Sequence, residues 1–221
     1  TMFVSISNGD GTFKQGVSYV SPAALANQVV SGDLDSDGLL DILAYDGSVA
    51  QVWLGNGDGT FDLGATFSAS INRSPLLTDF NGDGYLDSAA SANGTVSVVL
   101  GNGNGTFKAE VTYLTAGGTF PIDNLRAGDL DGDGRPDLIV NNEYSSSISV
   151  LMNNGNGTFQ SAITFAIGAG GDSLTVADFN RDGRSDVVVG HYKDSSFGYY
   201  QGVLGTDVNY RDFYPGTTVG A

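Results

Sequence analysis

The sequence predicts an all-β protein, a β-propeller of four-stranded antiparallel blades with about four to five blades visible and belonging to a larger ring. Three observations carry that reading. The composition sets 33 Gly and 23 Asp against only Glu110 and Glu143, so turn formers abound and helix formers are scarce across 221 residues. A nine-residue acidic pattern occurs four times: "DLDSDGLLD" at 33–41, "DFNGDGYLD" at 79–87, "DLDGDGRPD" at 129–137 and "DFNRDGRSD" at 178–186. Its first Asp recurs at spacings of 46, 50 and 49 residues, the period of a propeller blade. A second motif runs out of phase with the first, "NGDGTF" at 8–13 and 56–61 and "NGNGTF" at 102–107 and 154–159.

Taken in chain order, residues 3–20 carry the second motif without an acidic loop before it and read as half a blade, its third and fourth strands. Repeat units follow at about 25–70, 72–115, 120–168 and 172–214. In each unit the acidic loop joins two short apolar runs, such as "LTVA" at 174–177 and "DVVV" at 186–189, too short and β-branched for helices. The third strand alternates through Val52 and Leu54, Val98 and Leu100, and Val150 and Met152, the period-two pattern of a half-buried strand. An Asn-Gly turn with positive φ angles then reverses the chain, and the Thr-Phe pair opens the fourth strand. Residues 196–214 include "FGYYQGVLG", a passable third strand for the last unit. That strand occupies the place the half blade would need to close a four-bladed ring. The expectation is therefore an open arc, whose apolar end faces invite self-association or a partner chain.

The acidic loops point to a hard cation. Asp33, Asp35 and Asp37 are spaced by two so that a curling segment can converge them, and Gly38 turns the chain. An EF-hand requires a bidentate Glu at position twelve, which here is Ala44, Ala90, Val140 and Val189. Position nine is Asp in every copy instead, closing the shell early so that a strand begins at once. Position seven has no common side-chain chemistry, as a backbone-carbonyl ligand predicts. The expected ligand sets are Asp33, Asp35, Asp37, Leu39 and Asp41; Asp79, Asn81, Asp83, Tyr85 and Asp87; Asp129, Asp131, Asp133, Arg135 and Asp137; and Asp178, Asn180, Asp182, Arg184 and Asp186. About four structural calcium ions are expected.

The pattern D-x-[DN]-x-D-G-x-x-D before an apolar strand, with N-G-[DN]-G-T-F one hairpin later, resembles the FG-GAP and VCBS repeats, including those of integrin α-chain propellers. The resemblance covers roughly residues 3–190. It implies a calcium-stabilised propeller, commonly of seven blades, whose partners usually bind on the face opposite the metal loops.

A formal net charge of -16 with nine Lys and Arg excludes a nucleic-acid partner, which needs clustered cations. No apolar run approaches 18 residues, so membrane insertion is not expected. Without cysteine there is no thiol ligand or nucleophile. The glycine runs lack a following helix and so are turns rather than phosphate cradles. Trp53, on an alternating strand, is read as packing between blades.

One cluster resembles catalysis, "GHYKD" at 190–194, where His191, Tyr192 and Lys193 could serve as base and acid in polysaccharide β-elimination. As the loop between strands two and three it more simply offers ligand contacts, with Tyr144 in the equivalent loop of the preceding unit. The function expected is a non-catalytic, calcium-stabilised extracellular or cell-surface module for recognition or adhesion toward a glycan or protein. Calcium supports that location, since extracellular modules bind it at about 10⁻⁴ to 10⁻³ M. The alternative is a secreted polysaccharide lyase or hydrolase on the same scaffold.

Overall fold

The computed structural model describes residues 1–20, 28–70, 73–116, 124–142, 145–167, 171–191, 196–201 and 214–215. Its regular elements are strands, arranged in one two-stranded and four four-stranded sheets. The two-stranded sheet pairs β1 (Met2–Val4) with β2 (Val17–Tyr19). Blade one is β3 (Gln28–Gly32), β4 (Asp41–Tyr45), β5 (Val49–Gly55) and β6 (Phe61–Ser68). Blade two is β7 (Arg73–Thr78), β8 (Asp87–Ala92), β9 (Thr95–Val99) and β10 (Val111–Leu114). Blade three is β11 (Asn124–Gly128), β12 (Asp137–Asn142), β13 (Ser147–Leu151) and β14 (Ile163–Ala166). Blade four is β15 (Gly171–Ala177), β16 (Asp186–His191), β17 (Ser196–Gln201) and β18 (Tyr214–Pro215).

Every blade is an antiparallel meander, each strand pairing with its successor. The first strands β3, β7, β11 and β15 lie side by side in chain order, as the inner strands of a propeller do. Among the described residues no comparable contact returns from β15 to β3, so the sheets form an open arc consistent with part of a larger ring. The strand around Val187 pairs with β17, Val187 opposite Tyr200, and not with β1.

The cores lie between blades. Leu43, Tyr45 and Val52 of blade one meet Ala90, Leu77 and Phe107 of blade two. Val96 and Val98 meet Leu138 and Leu151 at the next interface, and Ile139, Ile148 and Val150 meet Val187 and Val189 at the third. Packing on both faces corrects the expectation of a half-buried third strand. Ser97, Ser149 and Gln51 are buried although they alternate with the apolar residues, because they face the other neighbouring blade. Gln51 tolerates this by donating its amide to the carbonyls of Val52, Gly64 and Ala65 at 2.8, 3.0 and 3.1 Å.

The turn between strands three and four also differs from expectation. The Asn residues keep negative φ, and the two glycines that follow are left-handed instead, Gly57 and Gly59 at 75° and 89° in blade one. A three-residue bridge results, closed by the Asn56 N–H donating to the Thr60 carbonyl at 3.0 Å and recurring at Asn8, Asn102 and Asn154. Asp58 Oδ1 accepts the Thr60 N–H and hydroxyl at 2.9 and 2.6 Å, which fixes the Asp or Asn of the motif as a turn residue. Those two hydrogen bonds hold the Asp58 carboxyl below the usual range.

Candidate metal centres

Each acidic loop connects the first strand of a blade to the second, at the end of the blade that also carries the Asn-Gly turn. The side chain of position seven crosses to that turn: Leu39 lies against Gly57, Tyr85 against Gly103 and Arg135 against Gly155. A β-carbon on any of these glycines would press into it. Position seven therefore has a packing role that its variable chemistry conceals.

The loop path is the same in all four blades. Position one accepts the N–H of the position-six glycine: Gly38 donates to Asp33, Gly84 to Asp79, Gly134 to Asp129 and Gly183 to Asp178, at 3.0, 2.8, 2.9 and 3.0 Å. Position five accepts the N–H of position seven, from Leu39 N–H to Asp37 at 2.7 Å through to Arg184 N–H to Asp182 at 2.9 Å. Positions four and six are both left-handed. Position six is always glycine, but position four is Ser36, Gly82, Gly132 and Arg181, at φ 66°, 75°, 81° and 63°.

Position nine is wholly buried at Asp41, Asp87, Asp137 and Asp186. Its Oδ2 accepts the N–H of position two, from Leu34, Phe80, Leu130 and Phe179 at 2.7, 2.8, 3.0 and 3.0 Å. In the first three blades its Oδ1 accepts an N–H at the end of strand three, from Gly55, Gly101 and Asn153, each at 2.8 Å. In blade four the Tyr199 hydroxyl donates to Asp186 Oδ2 at 2.8 Å. Burial pushes the carboxyl of Asp87 up to about 6 and that of Asp137 up to about 7, against the pull of those N–H donors.

The carboxylates converge as a cation requires. Asp33, Asp35 and Asp37 each offer an oxygen within 4.8 Å of the others, and so do Asp129, Asp131 and Asp137. Asp33 Oδ1 is buried without a hydrogen-bond partner. Burial and the charges of Asp41, Asp37 and Asp33 push the Asp35 carboxyl up. A buried orphan oxygen within a set of hard, mutually repelling oxygens fits calcium or a similar cation. In loops 79–87 and 178–186 the amides of Asn81 and Asn180 donate to Asp83 and Asp182 at 2.9 and 3.1 Å, and their carbonyl oxygens accept the N–H groups of Asp83 and Asp182, each at 2.8 Å. Arg135 pairs with Asp133, and Arg184 reaches Asp182 at 2.7 Å. At Asp182 burial is outweighed by the Arg184 N–H, the Asn180 amide and the Arg184 guanidinium, which hold its carboxyl low.

The loops also join successive blades. Gly105 N–H donates to the Leu34 carbonyl at 2.8 Å, the Asn153 amide to the Phe80 carbonyl at 2.9 Å, and Ser185 N–H to the Asp129 carbonyl at 2.7 Å. A chain of aromatic contacts reinforces them: Tyr19 on Phe61, Phe67 on Phe107 and Tyr113 on Phe159, with centroids 5.8, 4.8 and 5.6 Å apart. Each partner on strand four stands six residues after the motif phenylalanine of its own unit. That spacing was available in the sequence and is the signal for these contacts. Trp53 packs between sheets as expected, 5.5 Å from Tyr19.

Of the residues expected to meet a ligand, Tyr144 and Tyr192 lie outside the described residues. His191 ends β16 opposite Gly171 and Ser196, 7% exposed, so strand pairing rather than an open loop surrounds it.

The family model for the FG-GAP-like repeat matches residues 33–87, 79–140 and 129–189. No curated protein matches the chain in sequence. Among solved structures, an Agrocybe aegerita lectin, described for specific recognition of non-reducing terminal N-acetylglucosamine, superposes with a TM-score of 0.65 at 22% identity. The match covers 98% of this chain and 59% of the lectin, so the chain spans less than two thirds of that protein. BBS1N, in complex with ARL6DN, gives a TM-score of 0.56 at 14% identity, covering 83% of this chain and 57% of the other. Both likenesses concern the fold.

Proposed function

The chain belongs to the FG-GAP-like repeat family, and from that premise we propose that it is a non-catalytic, calcium-stabilised recognition module of an extracellular or cell-surface protein. The observation that supports it is one loop geometry repeated in four blades, with position one on the position-six N–H and position nine buried between the first and third strands. Metal held this way braces the blade corner. The loops contain no repeated nucleophile, general base or open coordination partner beside the acids, so the ions serve structure and leave the opposite face for a ligand.

That ligand is a glycan or a protein. Tyr144 and Tyr192, which in sequence stand between the second and third strands of blades three and four, are the candidate contacts, aromatic rings being suited to sugar faces and to protein hot spots alike. The lectin of similar fold makes glycans ending in N-acetylglucosamine the first to try. A glycan array probed with the purified chain in millimolar calcium, and again after chelation, tests the reading. Calcium-dependent retention on a defined glycan set, lost in Tyr144→Ala or Tyr192→Ala, is expected. Release of unsaturated uronate from an acidic polysaccharide would overturn it in favour of the lyase.

A further inference from the structure

In every blade the third strand sets one residue opposite the residue two places after position nine: Val52 opposite Leu43, Val98 opposite Ala89, Val150 opposite Ile139 and Tyr199 opposite Val188. Paired residues share a face of the sheet, and so do residues two apart on one strand, so this third-strand side chain lies on the same face as position nine. The three valines are buried in the cores between blades and have no polar atom to offer. Tyr199 is half-buried and brings a hydroxyl to that place.

The Tyr199 side chain meets loop 178–186 at four positions. Its hydroxyl donates to Asp186 Oδ2 at 2.8 Å, the oxygen that already accepts the Phe179 N–H at 3.0 Å, so two donors set the plane of the position-nine carboxylate. The Asn180 side chain hydrogen-bonds the same phenol, and the charge of Asp182 acts on it. Asn180 and Asp182 are tied to each other in turn, by the Asn180 amide at 3.1 Å and the Asp182 N–H at 2.8 Å. The ring stands edge-on to Phe179, with centroids 6.2 Å apart. Positions two, three, five and nine of one loop therefore converge on a single side chain from another strand.

We infer that Tyr199 is a positioning residue of the fourth metal centre. Its hydroxyl holds Asp186 and Asn180 in place before an ion arrives, as an outer partner of a metal ligand does, and so raises the affinity of this centre alone. The role rests on the calcium-stabilised reading of the loops proposed above. The valines at the equivalent place in blades one to three cannot act in this way, so the device belongs to blade four.

The test is a terbium titration of the whole chain, read by luminescence excited through tyrosine, with the ions bound per chain counted by equilibrium dialysis and elemental analysis. Tyr85, inside loop 79–87, supplies a reference signal. Asp182→Ala, an exposed change, marks the part of the signal that belongs to centre four. Tyr199→Phe keeps the ring and its contact with Phe179 but removes the hydroxyl. It should lower the affinity of centre four about tenfold, dim the same part of the signal that Asp182→Ala removes, and leave the other centres unchanged. Tyr199→Val, which copies the other blades, should do the same. An unchanged affinity at centre four would make Tyr199 a packing residue, even if melting in excess chelator fell. Equal weakening at every centre would make the effect one on the fold. Should neither Tyr199 variant fold, a tyrosine-excited signal that Asp182→Ala leaves intact would still overturn the role. An unaltered chain that binds no ion would overturn the calcium reading itself, and the role with it.

Discussion

Asp87 accepts the N–H of Gly101, fourteen residues further along the chain, at 2.8 Å, while its other oxygen accepts the N–H of Phe80 at 2.8 Å. One buried side chain thus clamps the start of the acidic loop to the end of strand three, and this clamp needs no ion. Asp87→Ala leaves two N–H groups without an acceptor in a closed corner, at a cost of about 2–4 kcal/mol. Asp83 is exposed and accepts only the Tyr85 N–H, at 3.0 Å, and the Asn81 amide. Urea unfolding should show Asp87→Ala destabilised both in calcium and in excess chelator. Asp83→Ala should be destabilised in calcium alone. Equal dependence of both variants on calcium would show that the position-nine residue stabilises the corner through the ion alone and not as a clamp.

Removing the ion should itself weaken the fold. With a dissociation constant of about 10⁻⁴ M, millimolar calcium stabilises the native state by about 1.4 kcal/mol per site. Four such sites approach about 6 kcal/mol, a large part of a domain's net stability. A thermal melt in excess EDTA, with metal removal confirmed by elemental analysis, should fall well below the melt in calcium. Unchanged melting would make the loops ordinary turns.

Periodicity made most of this legible. Two interleaved motifs at a constant spacing gave the blades, and the position-nine Asp gave a strand–loop–strand site in place of a helical one. What stayed hidden depends on neighbours that no single strand announces. Ser97 and Ser149 read as solvent-facing because an alternating strand is ordinarily wet on one side, yet a blade is covered on both. His191 read as a loop residue because the apolar run stops at Val189, whereas the pairing with Ser196 extends the strand by two. Position seven read as featureless because its packing partner, the turn glycine, is 18 residues away in blades one and two and 20 residues away in blade three.

The four centres should not bind alike. Loop 33–41 has four carboxylates and Leu39 at position seven, whereas loop 178–186 has three with Asn180, and Arg184 sits 2.7 Å from Asp182. Loop 129–137 has four carboxylates offset by Arg135 on Asp133. A resident cation competes with the ion through repulsion that solvent weakens but does not abolish. Terbium luminescence titration should resolve a tighter and a weaker class of sites. Arg184→Leu should tighten the weak class several-fold, and an unaltered isotherm would show that the guanidinium swings clear.

Position four carries a second difference among the loops, and it concerns backbone strain. Gly82 and Gly132 adopt the left-handed conformation freely, whereas Ser36 is forced into it at φ 66° by the same loop path. A side chain costs about 1–2 kcal/mol in that region. Glycine returns part of the gain, about 0.5–1 kcal/mol, through the greater freedom of the unfolded chain. Ser36→Gly should therefore stabilise the protein by about 0.5–1 kcal/mol, measured by urea unfolding in excess chelator so that ion affinity does not enter. The same substitution at Ser68, which is exposed at the end of β6 and carries no positive φ, serves as the reference and should lower stability. A loss at Ser36 equal to that at Ser68 would mean that the loop does not hold its fourth residue left-handed in solution.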